Sequence, residues 1–340
     1  MNAIARDAGS AAGCVWVEAP ARLHMGFVDL DGELGRRFGS LGMTLEGIGV
    51  RLCATPSRSM AASGPGAARA LECARRLASA WGLPQAVRLD IEQSIPEHAG
   101  LGSGTQSSLA VGAAIARLYG RRTNAREIAQ LTDRGARSGI GIGAFESGGF
   151  IVDGGHAPGV ETPPPLTVRL DVPREWRMLL VLDRQGQGLH GSGETAAFEA
   201  LPAFPTGQAA HLSHVVLMQA LPALAEADLP AFGAAVEEIQ RRLGDYFAGA
   251  QGGRFSSPRV ARAMAWLSER GAMGIGQSSW GPTGFCLVEG EERAQSLAGD
   301  ARRHFRETDS LTFLALCPRN VGSRVWYDEA AMNRQTGTIA

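Results

Sequence analysis

The chain has 340 residues, which at roughly 150 residues per domain suggests two domains. Hydrophobic residues make up 44% and charged residues 20%, a balance that supplies ordinary cores and excludes wholesale disorder, and the net charge of −1 argues against nucleic acid or an anionic membrane surface as partner. All 33 basic residues are arginine, so chemistry that needs a lysine (a Schiff base, anchored pyridoxal phosphate, a Walker-type phosphate loop) is excluded.

The first dozen residues read as a loose tail, with Arg6, Asp7 and Glu18 breaking up any basic-then-apolar leader. Val15 and Val17 open a strand, Arg22 to Leu30 reads as a second and Leu45 to Leu52 as a third. Ala67 to Trp81 has helical composition and stops at Gly82. Val87, Leu89 and Ile91 alternate with charged residues, the period of a half-buried strand. A glycine loop follows, then a small-residue helix from Thr105 to Tyr119. Asn124 and Glu127 have capping-box spacing, which predicts a helix running to Arg137. Gly148 to Val152 reads as a strand, and Pro163-Pro164-Pro165 as a linker or edge loop.

In the second half Trp176 to Leu182 is a continuous apolar strand. Helices are predicted over Gln208 to Leu221 and Leu229 to Phe247, and a third from the Ser257 cap and Pro258 to Gly271. Strands at Gly284 to Val288 and Leu311 to Leu316 flank a helix from Glu292 to His304. The order predicts an α+β fold, with one antiparallel sheet carrying helices on one face in a second domain. The division falls at residues 1–170 and 171–340. The uncharged stretch Ala200 to Ala225 holds three prolines and two histidines and is not a membrane span. Cys14, Cys53, Cys73, Cys286 and Cys317 form no C-x-x-C pair, so neither a zinc site nor a disulfide framework is expected, and a reducing cytoplasm suits the chain.

The most informative segment is Pro96-Glu97-His98-Ala99-Gly100-Leu101-Gly102-Ser103-Gly104-Thr105-Gln106-Ser107-Ser108. It follows a predicted strand and opens a predicted helix. Glycines allow successive amides to point at one spot, and the helix start adds its positive dipole end. With the hydroxyls of Ser103, Thr105 and Ser107 this makes an anion cradle suited to a polyphosphate. It lacks the G-x-G-x-x-G dinucleotide fingerprint. The glycine-rich run Gly274 to Gly284 reads as a second loop of exposed amides, the opposite wall of the same site.

The segment Pro96-x-x-Ala99-Gly100-Leu101-Gly102-Ser103-Gly104 resembles the phosphate loop of the GHMP superfamily, and Gly274-Ile275-Gly276 lies where that superfamily has its third motif. Four stretches resemble, more narrowly, the β-ribofuranosylaminobenzene 5′-phosphate synthase family. They are Ala21 to Phe27, Arg137 to Gly141, Gly148 to Gly155 and Gln277 to Phe285, the last being the most specific. The resemblance covers roughly residues 15 to 330. It implies a β-α-β N-terminal domain, a ferredoxin-like C-terminal domain and a site between them. It also implies condensation of 5-phosphoribosyl 1-diphosphate with 4-aminobenzoate, with loss of carbon dioxide and pyrophosphate, in tetrahydromethanopterin biosynthesis. Magnesium would accompany the diphosphate, and the protein would be a homodimer. Whether 4-hydroxybenzoate replaces 4-aminobenzoate is left open.

The alternative is an ATP-dependent small-molecule kinase of the same superfamily. Such kinases commonly carry an aspartate after the second motif. Arg137 to Glu146 here contains none, although Glu146 is a carboxylate that could stand in.

Arg22 and His24 alternate on one strand and so share a face. The resemblance makes Arg22 a carboxylate or phosphate donor and His24 a donor or general acid; Glu194 either orients a hydroxyl or the amine, binds magnesium, or sits with His190 on a solvated loop. Candidate substrate-binding residues are Gly100, Leu101, Gly102, Ser103, Gly104, Thr105 and Gln106 in the loop, then Arg137, Ser138, Gly139 and Gly141 beyond it. His190, Gly276, Ser278, Ser279 and Trp280 complete the set. Arg134 is a further candidate phosphate contact, unless it merely complements a helix end. Asp153 is either a metal ligand or part of a strand-end turn.

Overall fold

The computed structural model describes residues 13–186, 197–198 and 200–328. The first half contains β1 (Cys14–Asp29), β2 (Phe38–Pro56), β3 (Ala61–Ser63), α1 (Ala67–Trp81), β4 (Val87–Gln93), α2 (Ser103–Leu118), α3 (Ala125–Leu131), α4 (Ile140–Glu146), β5 (Phe150–Asp153) and β6 (Leu166–Leu170). The second contains β7 (Trp176–Asp183), α5 (Thr206–Val215), a π-helical turn (Val216–Ala220), α6 (Leu221–Ala225), α7 (Leu229–Gln251), α8 (Pro258–Ser268), β8 (Met273–Gln277), β9 (Thr283–Glu289), α9 (Glu291–His304), β10 (Leu311–Leu316) and β11 (Arg324–Asp328). This is the α+β arrangement expected.

The two short strands predicted between Val15 and Leu30 are one long strand. β1 pairs with β2 throughout and bends at register shifts between Pro20 and Arg22 and between His24 and Gly26. Such irregularities re-aim side chains, and here they bracket Arg22 and His24. α1 buries Ala70, Cys73, Ala74, Leu77 and Ala78, an unbroken 3.6-residue stripe, and stops at Gly82 in the left-handed region.

α3 ends at Leu131 rather than Arg137. Asp133 adopts φ 54°, and the Arg134 amide returns to the Ala129 carbonyl at 2.7 Å, a Schellman-type stop. The triple proline is pinned rather than loose: Arg126 donates to the carbonyls of Pro163 and Pro164, and β6 follows immediately. That strand extends the first sheet, whose order is β11-β1-β2-β4-β3 with β5 paired to β2 and β6 to β5.

The second sheet, β10-β7-β9-β8, is antiparallel throughout. Its helices cover both faces, not one. Met178, Leu180 and Leu182 of β7 belong to the cluster containing Phe232 and Val236 of α7. Leu179 and Val181 belong to the cluster of Met264 on α8 and Leu297 on α9. A strand buried on both sides has to be apolar without alternation, which is how β7 reads.

β11 was not anticipated. It pairs antiparallel with β1, from Cys14↔Asp328 to Glu18↔Arg324, so residues 324–328 return to the first sheet. A boundary at 170/171 therefore separates the two sheets except for β11. Arg319, only 6% exposed, holds the returning segment: Nη1 donates to Glu18 Oε1 at 2.7 Å and to Glu46 Oε1 at 3.0 Å. Cys14 and Cys53 are joined as a disulfide across β1 and β2, contrary to the expectation of no disulfide. Their separation of 39 residues carries no signal until the strand register is known. No helix among the described residues is long and apolar enough to cross a membrane.

Candidate active site

Gly100 and Gly102 have φ of 80° and 86°, in the left-handed region. A Cβ on Gly100 would lie 2.2 Å from the Ser278 carbonyl oxygen, so glycine is what lets the loop close against the second half. Gly102 is the N-cap of α2, and no side chain caps the helix. The amides of its first turn are therefore available to an anion.

Three hydrogen-bonded strands of chain meet at this loop. The Arg22 amide donates to the Leu101 carbonyl at 3.1 Å, and its Nη1 donates to the Gly100 carbonyl at 2.6 Å. Ser278 Oγ donates to that same Gly100 carbonyl at 2.8 Å and accepts from the His24 amide at 3.0 Å. The Ser279 amide then donates to the His24 carbonyl at 3.1 Å, with Ser279 at φ 57°. Arg22, His24, Gly100 and Ser278 are thus locked together, although they come from both halves of the sequence.

The result is a cleft of about 350 Å³, lined by Arg22, Arg69, His98, Arg134, the loop from Gly100 to Thr105 and the turn from Ser279 to Gly281. Ser279 and Trp280 also wall a smaller chamber of about 40 Å³. Its apolar walls are Phe27, Leu243 and Phe247, and the side chains of Gln240, Gln251 and Arg254 add polar edges. The Trp280 ring lies 4.6 Å from that of Phe247 and 5.4 Å from that of Phe198. His24 borders this chamber, with its ring 4.7 Å from Phe27. Burial, reinforced by the Arg22 charge, pulls its pKa down to about 3. The imidazole is therefore neutral at ordinary pH, a hydrogen-bonding group rather than a ready proton donor.

Ser103, Gly104 and Thr105 line the cleft, whereas Leu101 is buried beneath it. Gln106 does not face the cleft. It is fully buried, and its Nε2 donates to the Gly141 carbonyl at 2.6 Å, tying α2 to α4. Gly141 packs against Thr105.

Ser138 and Gly139 do not extend the cradle. The Gly139 amide and the Ser40 hydroxyl donate to Asp153 Oδ2 at 2.8 and 2.6 Å, and Ser138 bonds to Ser40. Asp153 thus holds a turn together; burial raises its pKa against the pull of these donors. Arg137 stacks 5.1 Å over the Phe198 ring.

Gly276 lies in β8, opposite Phe285, and packs against Gln240, so this stretch is a strand and not an open loop. The opposite wall is Ser278 to Gly281 instead. His190 and Glu194 lie outside the described residues. Arg69 and His98 of the cleft, and Gln240, Gln251 and Arg254 of the chamber, were not anticipated. Arg69 and Arg254 look like ordinary surface arginines, and both stay partly exposed; what the sequence hides is that one edges the cleft and the other the chamber.

A glycine loop opening a helix, facing a second antiparallel sheet across a cleft, defines the two-domain GHMP class. Family models agree: GHMP kinases N terminal domain matches residues 68–149 and GHMP kinases C terminal matches residues 220–307. A homoserine kinase structure from Cytophaga hutchinsonii superposes with a TM-score of 0.68 at 18% identity, covering 96% of this chain and all of that one. Mevalonate diphosphate decarboxylase from Enterococcus faecalis gives 0.63 at 18% identity, covering 93% and 99%. At such identities these likenesses show the fold alone.

The sequence relatives are narrower. β-Ribofuranosylphenol 5′-phosphate synthase from Methanothermobacter thermautotrophicus is 33% identical over 304 residues, covering 83% of this chain and 91% of that protein. The protein of the same name from Archaeoglobus fulgidus is 32% identical over 304 residues, covering 86% and 91%. The chain belongs to this family of synthases and is an enzyme.

Proposed function

We propose that the enzyme condenses 5-phosphoribosyl 1-diphosphate with 4-aminobenzoate, releasing carbon dioxide and pyrophosphate and forming the C-riboside of tetrahydromethanopterin biosynthesis. The observation that carries this reading is the adjacency of two unlike spaces: a cationic, amide-lined cleft and an aromatic chamber share Ser279 and Trp280 as walls. A sugar diphosphate suits the first and an arene the second. Their shared wall, with Arg22 on the cleft side and His24 on the chamber side, is where a ribose carbon and a ring carbon would meet.

The chemistry asks for positioning and charge stabilisation more than for a strong base. The ring carbon bearing the carboxylate forms a bond to the anomeric carbon as the bond to the diphosphate oxygen breaks. The departing electron pair stays on pyrophosphate. Carbon dioxide then leaves and its bonding pair restores the ring, so no proton is gained or lost. The chamber at about 40 Å³ admits an arene only when a side chain at its edge moves aside.

The relatives are named for a phenol product, which makes 4-hydroxybenzoate the competing acceptor. A neutral amine supplies its electron push without deprotonation. No carboxylate lines the chamber among the described residues, and His24 has little basicity, which favours the amine.

The cleft lining offers guanidiniums, amides and hydroxyls but no carboxylate, and no group of three His, Cys, Asp or Glu side chains converges among the described residues. That donor set, among the described residues, does not fit a magnesium ion held by the protein. Magnesium enters the proposal only as the counter-ion the diphosphate carries. A homodimer and a cytoplasmic setting, where the Cys14–Cys53 bridge would face reductants, belong to the same reading.

Carboxyl-labelled 4-aminobenzoate tests the reaction. Labelled carbon dioxide should appear only with the ribosyl diphosphate present, and unlabelled 4-hydroxybenzoate should compete poorly. Phosphate transfer from ATP to an alcohol, with no carbon dioxide from either arene, would establish the kinase alternative.

A further inference from the structure

Arg134 lines the cleft without an ion-pair partner among the described residues. The stop at Asp133 turns it away from the α3 axis and against the first turn of α2. The approach is close: a Cβ on Gly104 would lie 3.1 Å from Arg134 Nη1, so the glycine leaves room for the guanidinium. Its Nε is buried and makes no hydrogen bond. No carboxylate lies within ion-pairing distance of it among the described residues. Burial, and then the neighbouring charge of Arg69, lower its hold on its proton.

Arg69 reaches the same cleft from α1, with a half-exposed partner in Glu97 at 3.2 Å. On the opposite flank Arg22 lies 3.3 Å from where a Gly102 Cβ would be. Three guanidiniums therefore surround one uncapped helix start. Like charges crowded in a partly buried site repel one another, and the arrangement is costly until a polyanion enters. The glycine-loop motif does not account for Arg69 or Arg134, which come from α1 and from the turn after α3.

We infer that Arg134, assisted by Arg69, is the subsite that grips the departing pyrophosphate. This deepens the proposed reaction and rests on it for the identity of the ligand. When the bond between the anomeric carbon and the diphosphate oxygen breaks, the electron pair stays on that oxygen. The added negative charge then falls beside a guanidinium that stays protonated throughout. The same grip makes pyrophosphate a tightly held product.

The test uses the full chain and inorganic pyrophosphate, by calorimetry and thermal shift, with no turnover required. Arg134→Gln should weaken pyrophosphate binding about ten- to a hundredfold, as expected for loss of a charged hydrogen-bonding group. It should also raise the melting temperature of the ligand-free protein, because it relieves repulsion. Arg134→Lys should keep most of the binding. Arg69→Gln should weaken binding by a smaller factor, and it carries the test if the Arg134 variant does not fold. Pyrophosphate affinity unchanged in both glutamine variants, or a lowered melting temperature with full binding, would overturn the inference. If pyrophosphate binding depends on Arg134 but no labelled carbon dioxide is released, the reaction is wrong while the anion subsite stands.

Discussion

Ser278 Oγ lies 2.8 Å from the carbonyl oxygen of Gly100, 178 residues earlier in the chain, and it also receives the His24 amide. One hydroxyl therefore ties the glycine loop, the strand carrying His24 and the second sheet's turn together. Ser278→Ala leaves a buried amide without its acceptor, and should cost about 1–3 kcal/mol of stability in urea unfolding. Because the cleft loses its registration, kcat/KM should fall about tenfold or more. A variant with wild-type kinetics would show that the tie does not position the loop.

His24 sets a pH dependence whose sign follows from its lowered pKa. The folded value of about 3 lies below the ordinary 6.5. Above the ordinary value both folded and unfolded chains carry a neutral ring. As the pH falls below it, the unfolded chain takes up a proton that the folded chain refuses. Stability should therefore drop by about 1.4 kcal/mol per pH unit from this group. His24→Gln should flatten the slope of stability against pH between about 6 and 4. The rate profile of the native enzyme should show no histidine limb near neutrality; one that vanished in the His24→Gln variant would contradict the neutral ring.

Phe247 walls the aromatic chamber but not the cationic cleft. Phe247→Leu should raise KM for the arene about three- to tenfold, the scale of one modest hydrophobic truncation. KM for the ribosyl diphosphate should stay the same. Equal effects on both substrates would mean that the arene does not use this chamber.

Much of this architecture is visible in local chemistry. The α1 stripe and its glycine stop, the Ser257 cap and the apolar β7 all follow from single segments. The glycine loop is legible because its function needs amides at successive positions. What escapes is whatever depends on register or on distant packing. β8 has the glycines of a loop, but pairing with β9 at Met273, Gly276 and Gln277 makes it a strand, with Gly274 left-handed at the register shift. Gln106 and Ser138 look available beside the loop until the fold commits them to Gly141, Ser40 and Asp153. Arg134 gains meaning only from the turn that aims it.

Arg319 is the buried cation of the returning segment, shared between Glu18 and Glu46. Arg319→Met would leave two carboxylates facing each other and release the carbonyls of Val321 and Gly322, which accept from Nε and Nη2. Glu46 is half exposed, so the cost should be about 2 kcal/mol, below that of a fully buried pair. Denaturant titration measures it, and a change under half that size would mean the pairing is dispensable.

The closure of β11 on β1 has a consequence for how the molecule is made. β1 acquires its outer neighbour only when residues 324–328 have been synthesised. Until then its outer backbone edge stays unsatisfied, and the nascent chain carries an open template for mispairing. Completion of the first sheet is thereby deferred until after the second sheet has been made, so removal of β11 would harm biogenesis before it harmed catalysis.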